Sequence, residues 1–140
     1  MKNEKKLNNK GFSLVELIIV IAIMAVLIGV LAPQYLKYVE RSRQSADLDS
    51  INTMVHAIEI YNADPQTTTP GTGTITATSG TVAVDTSIQA ALTDAGMGTL
   101  PKMKSTEYAT WTITFTATGW SVTTDTAGTN APKLSTALGR

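Results

Sequence analysis

Glu16 is a carboxylate at the threshold of an apolar run, since from Leu17 to Ala32 no side chain is charged or strongly polar. An acid at the bilayer centre costs about 2.5–3.5 kcal/mol on insertion scales, so one kept in such a run marks a functional position by default. The other titratable residues suggest little chemistry. His56 is the single histidine, and with no cysteine and no neighbouring acid cluster it reads as a surface or interface residue, not a metal ligand. Asp47, Asp49 and Glu59 read as a solvated helix face. Asp125 lies in a turn-like stretch where its carboxylate suits an Asx-turn, short of the oxygen donors a calcium loop needs. Gly71-Thr72-Gly73 lacks the strand–helix context of a phosphate loop. Nothing pairs a nucleophile with a base. No catalytic residue, metal or cofactor is therefore expected, and the chain reads as a structural protein.

The element that must position Glu16 is a helix. Residues 12–61 read as one long helix with a weak point. The first half is apolar all round, as in lipid or the centre of a bundle. Its small residues Ala22, Ala25, Gly29 and Ala32 recur at spacings of three, four and three, which puts them on one stripe where neighbouring backbones can approach. Pro33 removes an N–H and crowds the carbonyl four residues back, near Gly29, which itself weakens helix. Residues 29–33 are thus either a static kink or a segment that melts under some condition. Beyond Pro33 the pattern turns amphipathic, with Leu48, Ile51, Val55 and Ile58 in one stripe and Met54 and Tyr61 beside it. The more polar 34–47 stretch is expected to meet water or other subunits.

Charge orients the helix. The first 11 residues hold four lysines against one glutamate, whereas the remainder holds seven basic against ten acidic residues. No cation follows those lysines until Lys37, so the N-terminus stays cytoplasmic and the rest crosses. A cleaved secretory signal is the rival reading, but Leu31-Ala32-Pro33-Gln34 is a poor small-residue cleavage site and the apolar run is long. The mildly acidic remainder gives no support for nucleic-acid binding.

Lys10-Gly11-Phe12-Ser13-Leu14-Val15-Glu16-Leu17, a basic leader, a long apolar segment and then Pro33 together resemble the class III signal of type IV pilins and pseudopilins. The resemblance covers roughly residues 5–61. It implies that a membrane-embedded prepilin peptidase cuts between Gly11 and Phe12 and methylates the new Phe12 amine. It also implies that Glu16 meets the charged N-terminus of an adjacent subunit, that the helix carrying Ala22, Ala25, Gly29 and Pro33 polymerises with copies of itself, and that assembly machinery with a motor ATPase builds the fibre. The expected course is a single-pass precursor in the cytoplasmic membrane, then an extracellular pilus. A pseudopilin of a secretion or DNA-uptake system is the alternative within the resemblance. A single-pass membrane protein with a small extracellular binding domain is the alternative outside it. Many pilins close a C-terminal loop with a disulfide; this chain has no cysteine and departs from that pattern.

The remaining half carries no family signature. Asn62-Ala63-Asp64-Pro65 ends the helix and 66–74 is a Thr/Gly/Pro loop. Strands are expected at Thr74–Thr78 and Thr81–Val84 about a Ser79-Gly80 turn. A short helix is expected at Ile88–Ala95, capped by Asp85, Thr86 or Ser87 and closed by Gly96. Tyr108–Ala117 is the clearest strand, with Trp111, Ile113, Phe115 and Ala117 alternating with threonines, followed by Trp120–Thr124. The tail from Asp125 reads as loop or a weak last element. The fold class is α+β: a long N-terminal helix, kinked near Pro33, on a small antiparallel sheet. The expected organisation is a leader at 1–11, a membrane and polymerisation helix at 12–33, an amphipathic helix at 34–62 and a globular head at 63–140.

Overall fold

The computed structural model describes residues 11–125 and 131–139, so the expected leader lies outside the described residues except for Gly11. The chain forms two compact units, Met1–Tyr38 and Val39–Arg140, and helix α1 (Leu14–Ala63) contributes to both. In the first unit the helical backbone continues through Pro33. Here each large apolar side chain of α1 is half or more exposed. The helix is long and apolar enough to cross a membrane by length and composition.

In the second unit α1 lies on a four-stranded antiparallel sheet of order β2-β1-β3-β4. The strands are β1 (Gly73–Thr78), β2 (Thr81–Val84), β3 (Trp111–Thr116) and β4 (Gly119–Asp125). Helices α2 (Thr86–Asp94) and α3 (Leu134–Ala137) complete it. The stripe Ile51, Met54, Val55 and Ile58 is buried with Ile75 and Ala77 of β1 and Trp111, Ile113 and Phe115 of β3, while Leu48 and Tyr61 are only partly covered. Ile88, Ala91 and Leu92 of α2, with Tyr108 and Leu134, join the same core. Each fully buried large side chain contributes about 1.5–3 kcal/mol, and without cysteines this packing carries the head.

The alternation in β3 has the expected phase. Thr112 and Thr114 face away from the core at half exposure, and the Thr114 hydroxyl meets that of Thr123 at 2.8 Å. A bulge at Thr123 leaves it without a Cα partner, since Thr112 pairs with Thr124 and Ile113 with Val122. The Ser79-Gly80 turn joins β1 to β2 with φ of 50° and 80°, as a tight hairpin matched to the strand twist requires. Several boundaries differ from expectation. β3 starts at Trp111, not Tyr108, whose buried ring is held outside the strand by its hydroxyl bond to the Pro132 carbonyl at 3.0 Å. Ala117 is exposed in the turn to β4. Asp85 sits at the N-cap of α2 but makes no capping bond, because its carboxylate accepts from Thr74 N–H at 2.7 Å and Thr74 Oγ1 at 3.1 Å instead.

Candidate assembly site

Ser13 precedes the first turn of α1, and its carbonyl accepts the Leu17 N–H at 3.2 Å. Glu16 Oε2 accepts the Ser13 N–H at 2.9 Å. Ser13-x-x-Glu16 is thus the reaching-back arm of a capping box, which satisfies one of the orphan donors of a helix start and places negative charge where the dipole favours it. Phe12, next outside, is 91% exposed. Ala22, Ala25, Gly29 and Ala32 are exposed on the same helix.

The glycines are informative. A Cβ built on Gly11 or Gly29 meets nothing within 4 Å. Gly73 is different, for its φ is +136° and a Cβ there would lie 2.6 Å from Asp85 Oδ2. Packing among the described residues therefore requires glycine at 73 and not at 11 or 29.

Three acids correct the solvated-face reading or add to it. Asp47 is 1% exposed. Its carboxylate accepts the Lys104 N–H at 2.9 and 2.8 Å and the Ser105 N–H at 2.7 Å. Glu40 Oε1 accepts the Ser105 hydroxyl at 2.6 Å. These two acids tie the 102–106 loop to α1, and Gln44 between them is buried, so 34–47 is not simply a water-facing stretch. The spacing held the signal: 40, 44, 47, 51, 55 and 58 advance by three or four and share the face of the apolar stripe. Glu59 is half-buried; the Trp120 Nε1–H donates to its Oε1 at 2.7 Å, and His56 Nδ1 lies 3.1 Å from its Oε2. His56 and Asp49 are exposed, as expected. Among the described residues no group of acids and histidines has metal-site geometry.

Asp125 closes the tail. Its carboxylate accepts the Leu134 N–H at 2.7 Å, the Ser135 N–H at 3.0 Å and the Ser135 hydroxyl at 2.6 Å. Burial pushes this carboxyl up, but those hydrogen bonds and the Lys133 charge outweigh it and hold it below its ordinary value. Burial, then the charges of Asp125 and Glu107, push the Tyr108 hydroxyl up. The 126–130 segment lies outside the described residues.

A capped, wholly exposed apolar helix whose other end packs on an antiparallel sheet defines a pilin-like α+β protein. Residues 6–32 match the family described as the prokaryotic N-terminal methylation motif. Over 50 residues the chain is 44% identical to the type IV major fimbrial protein FimA of Dichelobacter nodosus, covering 36% of this chain and 32% of that one. Over 57 residues it is 42% identical to the type IV wide pilus major component PilA4 of Thermus thermophilus, covering 41% of this chain and 44% of that one. The chain thus spans less than half of the length of the curated relatives it matches. No solved structure matches it. The chain thus carries a prokaryotic N-terminal methylation motif on a pilin-like α+β fold.

Proposed function

We propose that this chain is the structural, non-enzymatic subunit of a type IV pilus, polymerised through its N-terminal helix. The observation that carries this reading is the α1 surface from Leu14 to Leu36, whose large apolar side chains nothing among the described residues covers. Such a surface demands lipid or copies of itself. Membrane and bundle are both apolar, so transfer between them gains little, and packing with polar pairing must hold the fibre. The small residues Ala22, Ala25, Gly29 and Ala32 let helices approach, and open space around Gly29 in this chain fits that use. Pro33, with Gly29, gives the helix a local weak point for fitting the bundle.

Glu16 supplies the polar pairing. Cleavage of leader 1–11 by a prepilin peptidase frees the Phe12 amine, and methylation leaves it charged. Glu16 Oε2 holds the Ser13 N–H, and Oε1 carries no hydrogen bond among the described residues, which leaves it for the amine of a neighbouring subunit. Each charge is costly alone in an apolar bundle and pairing relieves both. Residues 12–33 then serve as membrane and polymerisation helix, 34–62 as the amphipathic link and 63–140 as the head, with a motor ATPase driving assembly from a membrane-held, N-in precursor to an extracellular fibre. The names of the two relatives, both major components of fimbriae or pili, favour this over a pseudopilin. The test is the intact mass of sheared surface fibres. A chain beginning at N-methyl-Phe12 is expected; a mass retaining residues 1–11, or a start beyond Pro33, would overturn the reading. Gly11→Val is expected to leave full-length precursor in the membrane.

A further inference from the structure

Outside residues 12–38, Ile60 is the sole large hydrophobic side chain exposed among the described residues, at 72%. It lines a pocket of about 240 Å³ with Ala57, Tyr61, Asp64, Ala91 and Asp94. Two helices end at this pocket, α1 at Ala63 and α2 at Asp94, and neither has a basic residue in its last turn. Helix C-termini carry partial negative charge and normally attract cations. Here both ends carry acids instead, Asp64 and Asp94, both exposed and neither in an ion pair among the described residues. The site is an apolar floor in a negative field, and its complement is an apolar group flanked by cations.

The same chain displays that complement elsewhere on the head. In Leu100–Lys104, Met103 is buried, Lys102 and Lys104 are exposed, and Leu100 and Pro101 are half exposed. The Asp47 and Glu40 bonds to residues 104–106 hold this loop in place. Its lysines therefore project from a fixed backbone, which lowers the ordering cost of binding. Helix residue 47, to which Lys104 is tied, stands about 25 Å along α1 from residue 64 at 1.5 Å per residue, so the tied end of the loop lies far from the pocket of its own chain. We propose that the Ile60 pocket of one copy receives the Leu100–Lys104 loop of a second copy, with Asp64 and Asp94 facing Lys102 and Lys104. The contact joins different patches on the two copies, so it is heterologous and repeats from copy to copy along the proposed fibre instead of closing a two-fold dimer. It rests on the fibre reading and adds a head-to-head contact to the helix bundle.

The absence of cysteine allows a clean test in the full chain, expressed as sole subunit. Fibres carrying both Ile60→Cys and Lys102→Cys are oxidised with copper-phenanthroline. A ladder of covalent dimers, trimers and higher species is expected from the pair, and monomer alone from either single substitution. Fibres visible by microscopy whose paired variant gives no ladder would overturn this contact and leave the fibre reading standing. Covalent dimers from a single substitution would overturn it too, since they report a symmetric contact. An unaltered chain that forms no fibres would overturn the fibre reading itself. Charge exchange supplies an independent readout: Asp64→Lys with Asp94→Lys is expected to lower fibre yield at least tenfold, and adding Lys102→Glu with Lys104→Glu to restore most of it. Wild-type yield from the acid-reversed variant, or no recovery in the combination, would overturn the pairing.

Discussion

Glu16 and Asp47 are both acids on one helix, and their surroundings differ. Among the described residues Glu16 bonds only to the start of its own helix, at Ser13, so little of the described fold depends on it. Glu16→Val is expected to insert at least as well as the parent chain, since a costly group has gone, and to be cleaved after Gly11, yet to accumulate as processed monomer without fibres. Glu16→Gln, which keeps an acceptor for the Ser13 N–H but no charge, is expected to fall between. Normal fibre yield from the valine variant as sole subunit would remove Glu16 from the assembly mechanism. Asp47 is structural. Replacing it by alanine orphans the Lys104 and Ser105 N–H groups, at about 1–3 kcal/mol for each donor left unsatisfied in the interior. Thermal melting of a fragment lacking residues 1–35 is expected to show that loss, with Asp49→Ala nearly neutral as the control.

At the scale of elements, β3 is the strand on which the head depends. Phe115 is buried against α1 and tilts against Trp120 with ring centroids 6.4 Å apart. Phe115→Ala is expected to cost about 3–5 kcal/mol, which a cysteine-free head survives poorly. Thr112 stands in a row with Thr76 and Thr124 on the outer face, and Thr112→Ala is expected to cost less than about 1 kcal/mol. Comparing melting midpoints of the two variants checks the strand phase, and equal losses would mean it is wrong. Strand and turn positions were legible here because period two and the Ser79-Gly80 pair are local signals. The early start given to β3 was not, since Tyr108 is drawn out of the strand by a carbonyl 24 residues away.

For the whole molecule, Asp125 ties the last helix to β4 through its bonds to Leu134 and Ser135, in a chain without cysteine. Asp125 has a folded value below its unfolded one. Its contribution is therefore fully present above the unfolded carboxylate range near about 3.9 and is lost as pH falls through the lower folded value. Asp125→Asn is expected to lower the melting temperature at pH 7 and to flatten the acid limb of the stability curve, as denaturant titration at several pH values would show. Tyr108 runs the other way. Its raised folded value means that its share is intact below the unfolded tyrosine range near about 10 and fades above it.

The sequence by itself determined the parts that rest on local and periodic information. These are the exposed apolar helix, the acid at its start, the Gly11-Phe12 motif, the phase of β3 and the Leu48–Ile58 stripe that had to find a sheet. Only the tertiary structure decided which acids are spent inside the head. Asp47, Glu40 and Asp125 each satisfy backbone or hydroxyl donors on segments 9 to 66 residues away in sequence. A carboxylate's burial depends on where those donors arrive. That arrival is fixed by the strand order, in which β1 lies between β2 and β3, and by the loop that brings Lys104 and Ser105 back to α1. Periodicity marks the face of a helix, but only the folded chain shows whether that face meets water, an apolar side chain or an unpaired N–H.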